Sequence, residues 1–465
     1  VKKLASMPAA MDIPWNMDLS RGGERTPVWL RLRCTGTGAG AAGMLMPRLT
    51  RPSRTADSSP LASGASKRHP IVVVIAVMGL RFEDAAASQG KRPTGKLHGG
   101  AWSTSPDVRA GLTSLMTSVS PLAHGVVGLR DEIPKSAMGI GREVRLAGIK
   151  TILRTGFVPV TAGSPLWEGF EDALFADLRR LNPHANHVLD STQELLIHEK
   201  SPTLAIAVLS DTAPPYIPTT SAWEHHYNEK GDAPWPANES RKAVAEIGTG
   251  ERPFNDKNQR YMRALRRGKA EETLSHIRAF QDAIRAKHKD ALIMIVGLGG
   301  VLPGDPESFN PEDVHVPLWI DSPGGWSLPA QSTVDIMDVM VTATSALGVP
   351  PRAGVQGTDM RRELEDPWPT GALSTQTRAD SIDIAVWGDS VLKAQRGKLG
   401  GHELFLPDGN GWRLVKKAPA NKGPAIDAAD ALLRGWLSAR SQWNPEHYEA
   451  AVRRGGEDGY ADPCR

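Results

Sequence analysis

The chain has 465 residues, which suits about three domains of ordinary size or one large α/β domain with an appendage. Its 55 lysines and arginines nearly balance 52 aspartates and glutamates to a formal net charge of +3, which excludes an overall polycation or polyanion. Residues 1–68 hold 11 basic and 4 acidic side chains, so the excess positive charge belongs to an N-terminal arm, and the body gives no sign of a nucleic-acid surface.

Cys34 and Cys464 lie near opposite ends, which leaves neither a disulfide framework nor a cysteine-based zinc site. The longest apolar runs, Ile71 to Leu80 and Leu292 to Leu302, reach about half the length of a membrane-spanning helix (~20 residues), so no transmembrane segment is expected. A charged head, apolar run and small-residue cleavage site do not follow in that order at the start, and the compartment stays undetermined.

In chain order, residues 1–68 mix Pro, Gly, Ser, Thr and Arg without periodicity and read as a disordered basic arm. Gly38 to Gly43 fits GxGxxG, but Pro47 follows too soon for the helix that would hold a pyrophosphate, so the stretch reads as a Gly-rich linker. Residues 69–370 repeat an apolar strand, a turn and a helix. Strands are expected at Ile71 to Val77, Thr151 to Leu153, Leu204 to Leu209, Leu292 to Val296 and Val316 to Ile320. Helical spacing joins Leu112, Leu115 and Met116, and again Ile277, Phe280 and Ile284. That alternation predicts an α/β fold with a mostly parallel central sheet covered on both faces, whose ligands would sit at the carboxyl ends of the strands.

Residues 371–465 read as a small antiparallel sheet plus a helix. Ile382, Ile384 and Val386 alternate, and Asp408-Gly409-Asn410-Gly411 separates two further runs as a hairpin turn. A helix is expected from Ala425 to about Trp443.

Trp102 to Val126, WSTSPDVRAGLTSLMTSVSPLAHGV, resembles the signature of sulfatases in the alkaline-phosphatase-like superfamily, anchored on Leu115, Thr117, Pro121, His124 and Gly125. Further pieces keep that family's order: Leu80-Arg81, Ala147 to Thr151, Gly169-Phe170, Pro214-Pro215-Tyr216 and Val316-Pro317-Leu318. The resemblance implies a three-layer alkaline-phosphatase-like sandwich and hydrolysis of sulfate or phosphate esters, chemistry that needs a nucleophilic oxygen, a divalent cation and an acid for the leaving group.

The residues at the matching positions do not supply these groups. The nucleophile position is Val108. The first metal-carboxylate position falls on Val77 and Met78, and the second metal cluster on Gly297 and Leu298. The position of a catalytic His is Ala213, and the Lys-x-His pair of the family falls on Gly156 and Val158. A hard divalent cation needs about six oxygen ligands, mostly carboxylates. The expectation is therefore a sulfatase-like, non-catalytic protein that holds no cofactor and binds an unidentified protein partner or an anionic ligand. The alternative is an active hydrolase using calcium or another divalent cation, with Thr104 as a displaced nucleophile beside Arg109. Ser103, Thr104 and Ser105 otherwise read as polar turn and cap residues before a helix starting near Asp107.

Other candidates read as ordinary structure. His225 and His226, with Glu224, Glu229 and Asp232 close in sequence, offer metal-ligand types, yet adjacent histidines seldom face one ion, and a solvated loop is expected. His124 is expected to be a hydrogen-bonded structural histidine. Asp305, Glu307, Glu312 and Asp313 read as surface charges, and the basic run Arg260 to Lys269 reads as a solvated helix face with Tyr261 and Leu265 inward.

Overall fold

A computed structural model describes residues 69–362, apart from residue 91 and the stretches 127–131, 135–136, 157–162, 176–183, 220, 228–232, 303–309, 331 and 353–354, together with strands of a second sheet between 372 and 415. The arm at 1–68, with its Gly-rich stretch, and the helix expected from Ala425 lie outside the described residues, as do Val158, Glu229, Asp232, Asp305 and Glu307.

The first sheet contains β1 (Ile71–Val77), β2 (Lys96–Trp102), β3 (Lys150–Thr155), β4 (Asp172–Phe175), β5 (Thr203–Leu209), β6 (Leu292–Gly297), β7 (His315–Asp321) and β8 (Val334–Asp335). Their order is β4-β3-β5-β1-β6-β7-β2-β8. The pairs from β4 through β6 are parallel, β7 runs antiparallel to both β6 and β2, and β8 is parallel to β2. The five strands expected from their apolar runs are all present.

β1 shows why the sheet is the middle of three layers. All seven of its residues are buried, and its side chains alternate between two cores. Val72, Val74 and Ala76 join Leu112, Leu115 and Met116 of α2 (Val108–Thr117), which follows the short helix α1 (Phe82–Ala87), and Val339, Met340 and Ala343 of the helix Met337–Ala346. Ile71, Val73, Ile75 and Val77 join Val188 and Leu189 of the helix Ala185–Leu196 and Leu274, Ile277, Phe280 and Ile284 of the long helix Asp256–Lys287. A strand that buries side chains on both faces has no polar positions to alternate, which explains its unbroken β-branched run; each such Val or Ile contributes on the order of 1.5–3 kcal/mol.

A smaller cluster seats the segment after β5. Tyr261 of the long helix meets Trp223, Tyr227 and Trp235 edge-on, with ring centroids 5.4, 5.1 and 5.0 Å away.

The second sheet is an antiparallel meander of β9 (Ala372–Thr377), β10 (Ile382–Trp387), β11 (Leu392–Arg396), β12 (Gly401–Asp408) and β13 (Gly411–Val415). Asp408 pairs with Gly411 across the expected hairpin. Ser374 of β9 donates a hydrogen bond to the Ser103 carbonyl, which ties this sheet to the loop before α2.

The long helix corrects the reading of its basic run. Tyr261 and Leu265 are buried as expected, and Arg260 and Arg263 are exposed, but Arg266 and Lys269 are buried too. Arg266 binds Asp84 (Nε to Oδ2, 2.7 Å) and Glu83 (Nη2 to Oε1, 2.8 Å) of the short helix Phe82–Ala87. Burial alone would lower the affinity of Arg266 for its proton; Asp84 and Glu83 outweigh it and hold the guanidinium charged. Burial would raise the Glu83 carboxyl, yet Arg266, Arg81 and Arg267 pull it below the usual carboxylate range. This is a buried charge network linking two helices, which helical spacing alone reads as a solvated face.

Candidate functional site

In a sheet of this kind a ligand crevice lies beyond the carboxyl ends of the central strands. β5, β1 and β6 end in register here, with Val77 opposite both Leu209 and Gly297. Three segments continue past them: Met78 to Arg81, Ser210 to Ala213 and Leu298 to Gly300. A fourth, Ser103 to Asp107, enters α2 from the side.

These segments are bonded to one another beyond the sheet. The Met78 N–H donates to Leu209 O (2.9 Å), Leu298 N–H to Val77 O (3.0 Å) and Gly79 N–H to Gly299 O (2.9 Å). Thr212 Oγ1 donates to Met78 O at 2.6 Å. Gly79, at φ +79°, lies so close to the neighbouring chain that a Cβ there would sit 2.2 Å from Thr212 O. A Cβ on Gly300 would lie 3.1 Å from Gly79 Cα. Val77, Met78, Leu80 and Leu298 are fully buried, and the buried carboxylates of the same region, Asp211 and Asp313, are held in ion pairs. At the positions that the resemblance implies for a cation, Val77, Met78, Gly297 and Leu298, the residues do not fit a hard divalent ion: no side chain there carries an oxygen, and a Cβ on Gly297 would lie 2.4 Å from Leu80 O.

Val108 is the first residue of α2 and packs against the first core. Its neighbour Asp107 caps the helix, its Oδ1 accepting from Arg109 N (2.9 Å) and Ala110 N (3.1 Å). A helix N-terminus attracts anions, and here the chain's own carboxylate takes its free N–H groups. Ala213 also packs against the first core, and Gly156 is fixed by its N–H to Val208 O (2.9 Å) and by Ser210 Oγ donating to its carbonyl (3.1 Å).

Thr104 is fully buried, and its Oγ1 has no hydrogen-bond partner among the described residues. Ser103 Oγ is committed to the carbonyls of Ser105 (2.8 Å) and Leu298 (3.0 Å). The serines and Thr104 precede Asp107 in the polar turn, as expected, with Asp107 itself the cap.

Ions also stand beside the strand ends, each within an ion pair. Arg81 Nη2 meets Asp313 Oδ1 at 2.7 Å, and Arg81 Nε donates to Gly300 O at 2.8 Å. Asp313 also accepts from Asn310 N (3.0 Å), capping the short helix Pro311–Val314. Asp313 is therefore a buried structural anion, contrary to its reading as a surface charge, and Glu312 is half-buried. Lys269 Nζ stands 3.3 Å from Asp211 Oδ1 and 3.2 Å from Glu272 Oε2. No local spacing joins Arg81 to Asp313 or Asp211 to Lys269, so sequence reasoning missed both; their only trace is ionic residues flanking apolar strands.

His124 is the structural histidine expected. Its Nδ1 accepts from Val126 N (3.1 Å), which places the proton on Nε2, 2.9 Å from Ser114 Oγ. Burial lowers its pKa to about 3.

His225 and His226 depart from expectation. They end the 3-10 turn Ser221–His226, and both rings converge on Glu271 of the long helix. The His225 and His226 Nε2 atoms lie 3.3 and 3.5 Å from Glu271 Oε2. Burial and the neighbouring His225 lower the His226 pKa. Glu224 is exposed.

The chain's arrangement is that of the alkaline-phosphatase-like fold of sulfatases and phosphonate hydrolases. A 2-O GAG sulfatase superposes with a TM-score of 0.60 at 15% identity, over 83% of this chain and 94% of that one. A phosphonate monoester hydrolase from Silicibacter pomeroyi gives 0.56 at 14% identity over 80% and 95%. Its counterpart from Agrobacterium radiobacter gives 0.57 at 14% identity over 80% and 96%. At these identities the likeness establishes the fold alone. No family profile and no curated protein sequence matches the chain. Among the described residues no helix is long and apolar enough to cross a membrane.

Proposed function

We propose that this chain is a sulfatase-like protein that does not hydrolyse esters and acts by binding a partner. What supports this reading is the packing of the strand ends: Gly79 lies against Thr212, and Met78, Gly297 and Leu298 carry no side-chain oxygen at the positions that the sulfatase resemblance implies for a cation. Val108 has no atom that can attack sulfur or phosphorus, and Ala213 has no proton to give. The Asp107 carboxylate at the start of α2 opposes an anionic ligand there, so a protein partner is favoured over a sulfated or phosphorylated one.

The competing reading is a metal-dependent ester hydrolase with Thr104 as nucleophile. A nucleophile must reach its substrate, and Thr104 is enclosed by the chain. Turnover of an aryl sulfate and an aryl phosphate, in excess calcium or magnesium, separates the two readings. The wild-type chain and Val108→Cys are both expected to be inactive, because one new thiol supplies neither cation nor proton donor. Turnover by the wild type that disappears in Thr104→Ala would establish the hydrolase, and turnover gained by Val108→Cys would show that a working cation site is present.

A further inference from the structure

The geometry points to a site for a zinc-class divalent ion formed by His225, His226 and Glu271, separate from the strand-end residues. Three observations carry it. The first is donor spacing. Two ligands each ~2.05 Å from a tetrahedral ion are about 3.3 Å from one another. The Nε2 atoms of His225 and His226 stand 3.3 and 3.5 Å from Glu271 Oε2, and the three donors lie within 4.8 Å of one another. The second is an unsatisfied atom. The His226 side chain is 7% exposed, and its Nε2 is buried without a hydrogen-bond partner, at a distance from Glu271 longer than a good N–H···O bond.

The third is the way the chain builds the convergence. Gly268 lies in the interior of the long helix, where glycine costs about 1 kcal/mol relative to alanine. A Cβ there would meet Trp223 N at 2.6 Å, so glycine lets the Ser221–His226 turn settle onto the helix one turn before Glu271. On the other side, Gly90 leaves room for Glu271, whose Cγ would be 2.8 Å from a Cβ at that position. Gln89 N–H donates to Glu271 Oε2 at 3.3 Å and so orients the carboxylate from outside, as ligands of bound metals usually are. Two imidazoles and a carboxylate suit zinc or cobalt better than calcium or magnesium. Three protein donors leave a fourth coordination position for water, and the ion would clip the segment after β5 to the long helix.

The test uses the full chain, stripped with a chelator and then loaded with zinc alone or cobalt alone. One equivalent of zinc should survive gel filtration, and bound cobalt should give a visible d–d spectrum that zinc abolishes. Both should be lost in Glu271→Gln and in His226→Asn, and kept in Glu224→Gln. His225→Gln provides the check should a buried-site variant fail to fold, since the His225 side chain is 35% exposed. Absence of stoichiometric zinc from the wild-type chain overturns the proposal, as does a cobalt spectrum unchanged in His225→Gln. Neither result bears on ester hydrolysis, which is measured with calcium or magnesium at other residues.

Discussion

At the scale of single residues, the strand ends are packed by buried apolar side chains and flanked by ion pairs. Arg81 and Asp313 carry the strictest demand: each is nearly fully buried, and they meet at 2.7 Å. Removing one partner of such a pair strands the other, at a cost of about 3–5 kcal/mol. Arg81→Met should lower the urea midpoint accordingly with an unchanged m-value, and Arg81→Met with Asp313→Leu should recover part of the loss; a midpoint within error of wild type for the single variant would contradict the pairing. Acid should act through histidines. His315 is stacked between Phe82 (4.4 Å) and Trp102 (4.6 Å), and burial lowers its pKa to about 4, while that of His124 falls to about 3. Both folded values lie below the ordinary histidine value near 6.5, so the unfolded chain binds more protons between them. The stability they confer is complete above about pH 6.5 and is lost as pH falls toward 4 and then 3, by about 1.4 kcal/mol per pH unit for each histidine. Denaturation at pH 7 and pH 5 checks the slope, and His124→Gln should flatten it. The structural role of His124 was legible from the sequence because the Pro121-x-x-His124-Gly125 turn is local. That of Asp313 was not, because its partner Arg81 comes from the other side of the domain's sequence.

Secondary elements divide by how much of each is buried. β1, β3, β5, β6 and β7 are legible as apolar runs because helices cover them on both faces. β2 is not: it carries Gly99 and Gly100, its register shifts between His98 and Ala101, and Gly100 is needed where Ser332 O would lie 2.2 Å from a Cβ. β4 escapes notice because its residues are half or fully exposed, and β8 because it spans two residues. Glycines within helices separate cases that propensity treats alike. Gly248→Ala, in the helix Ser240–Thr249, meets nothing within 4 Å and should stabilise by about 0.4–1 kcal/mol. Gly268→Ala gains the same propensity but drives a methyl into the Trp223 backbone, so its thermal midpoint should fall while that of Gly248→Ala rises. Equal shifts for both would show that the Ser221–His226 turn is not seated on the long helix as described. For α2, Asp107→Ala should cost about 1 kcal/mol by denaturant titration, the ordinary value of an N-cap.

For the whole molecule, the fold emerged from the order of short fragments, none specific alone, and the three superpositions reported above reach TM-scores of 0.56 to 0.60 at 14 to 15% identity. What stayed illegible is what joins distant parts of the chain: Arg266 with Asp84, Lys269 with Asp211, and the two histidines with Glu271. Periodicity assigns a side chain to a face but does not say which other element arrives there, so buried ions on the long helix look like solvated ones. The central claim is the proposal that the strand ends of this chain hold no calcium or magnesium. Calcium and magnesium stoichiometry, measured by equilibrium dialysis of the full chain, tests it most directly: well under one equivalent of either is the result this account predicts, and one tightly held equivalent of calcium or magnesium would contradict it.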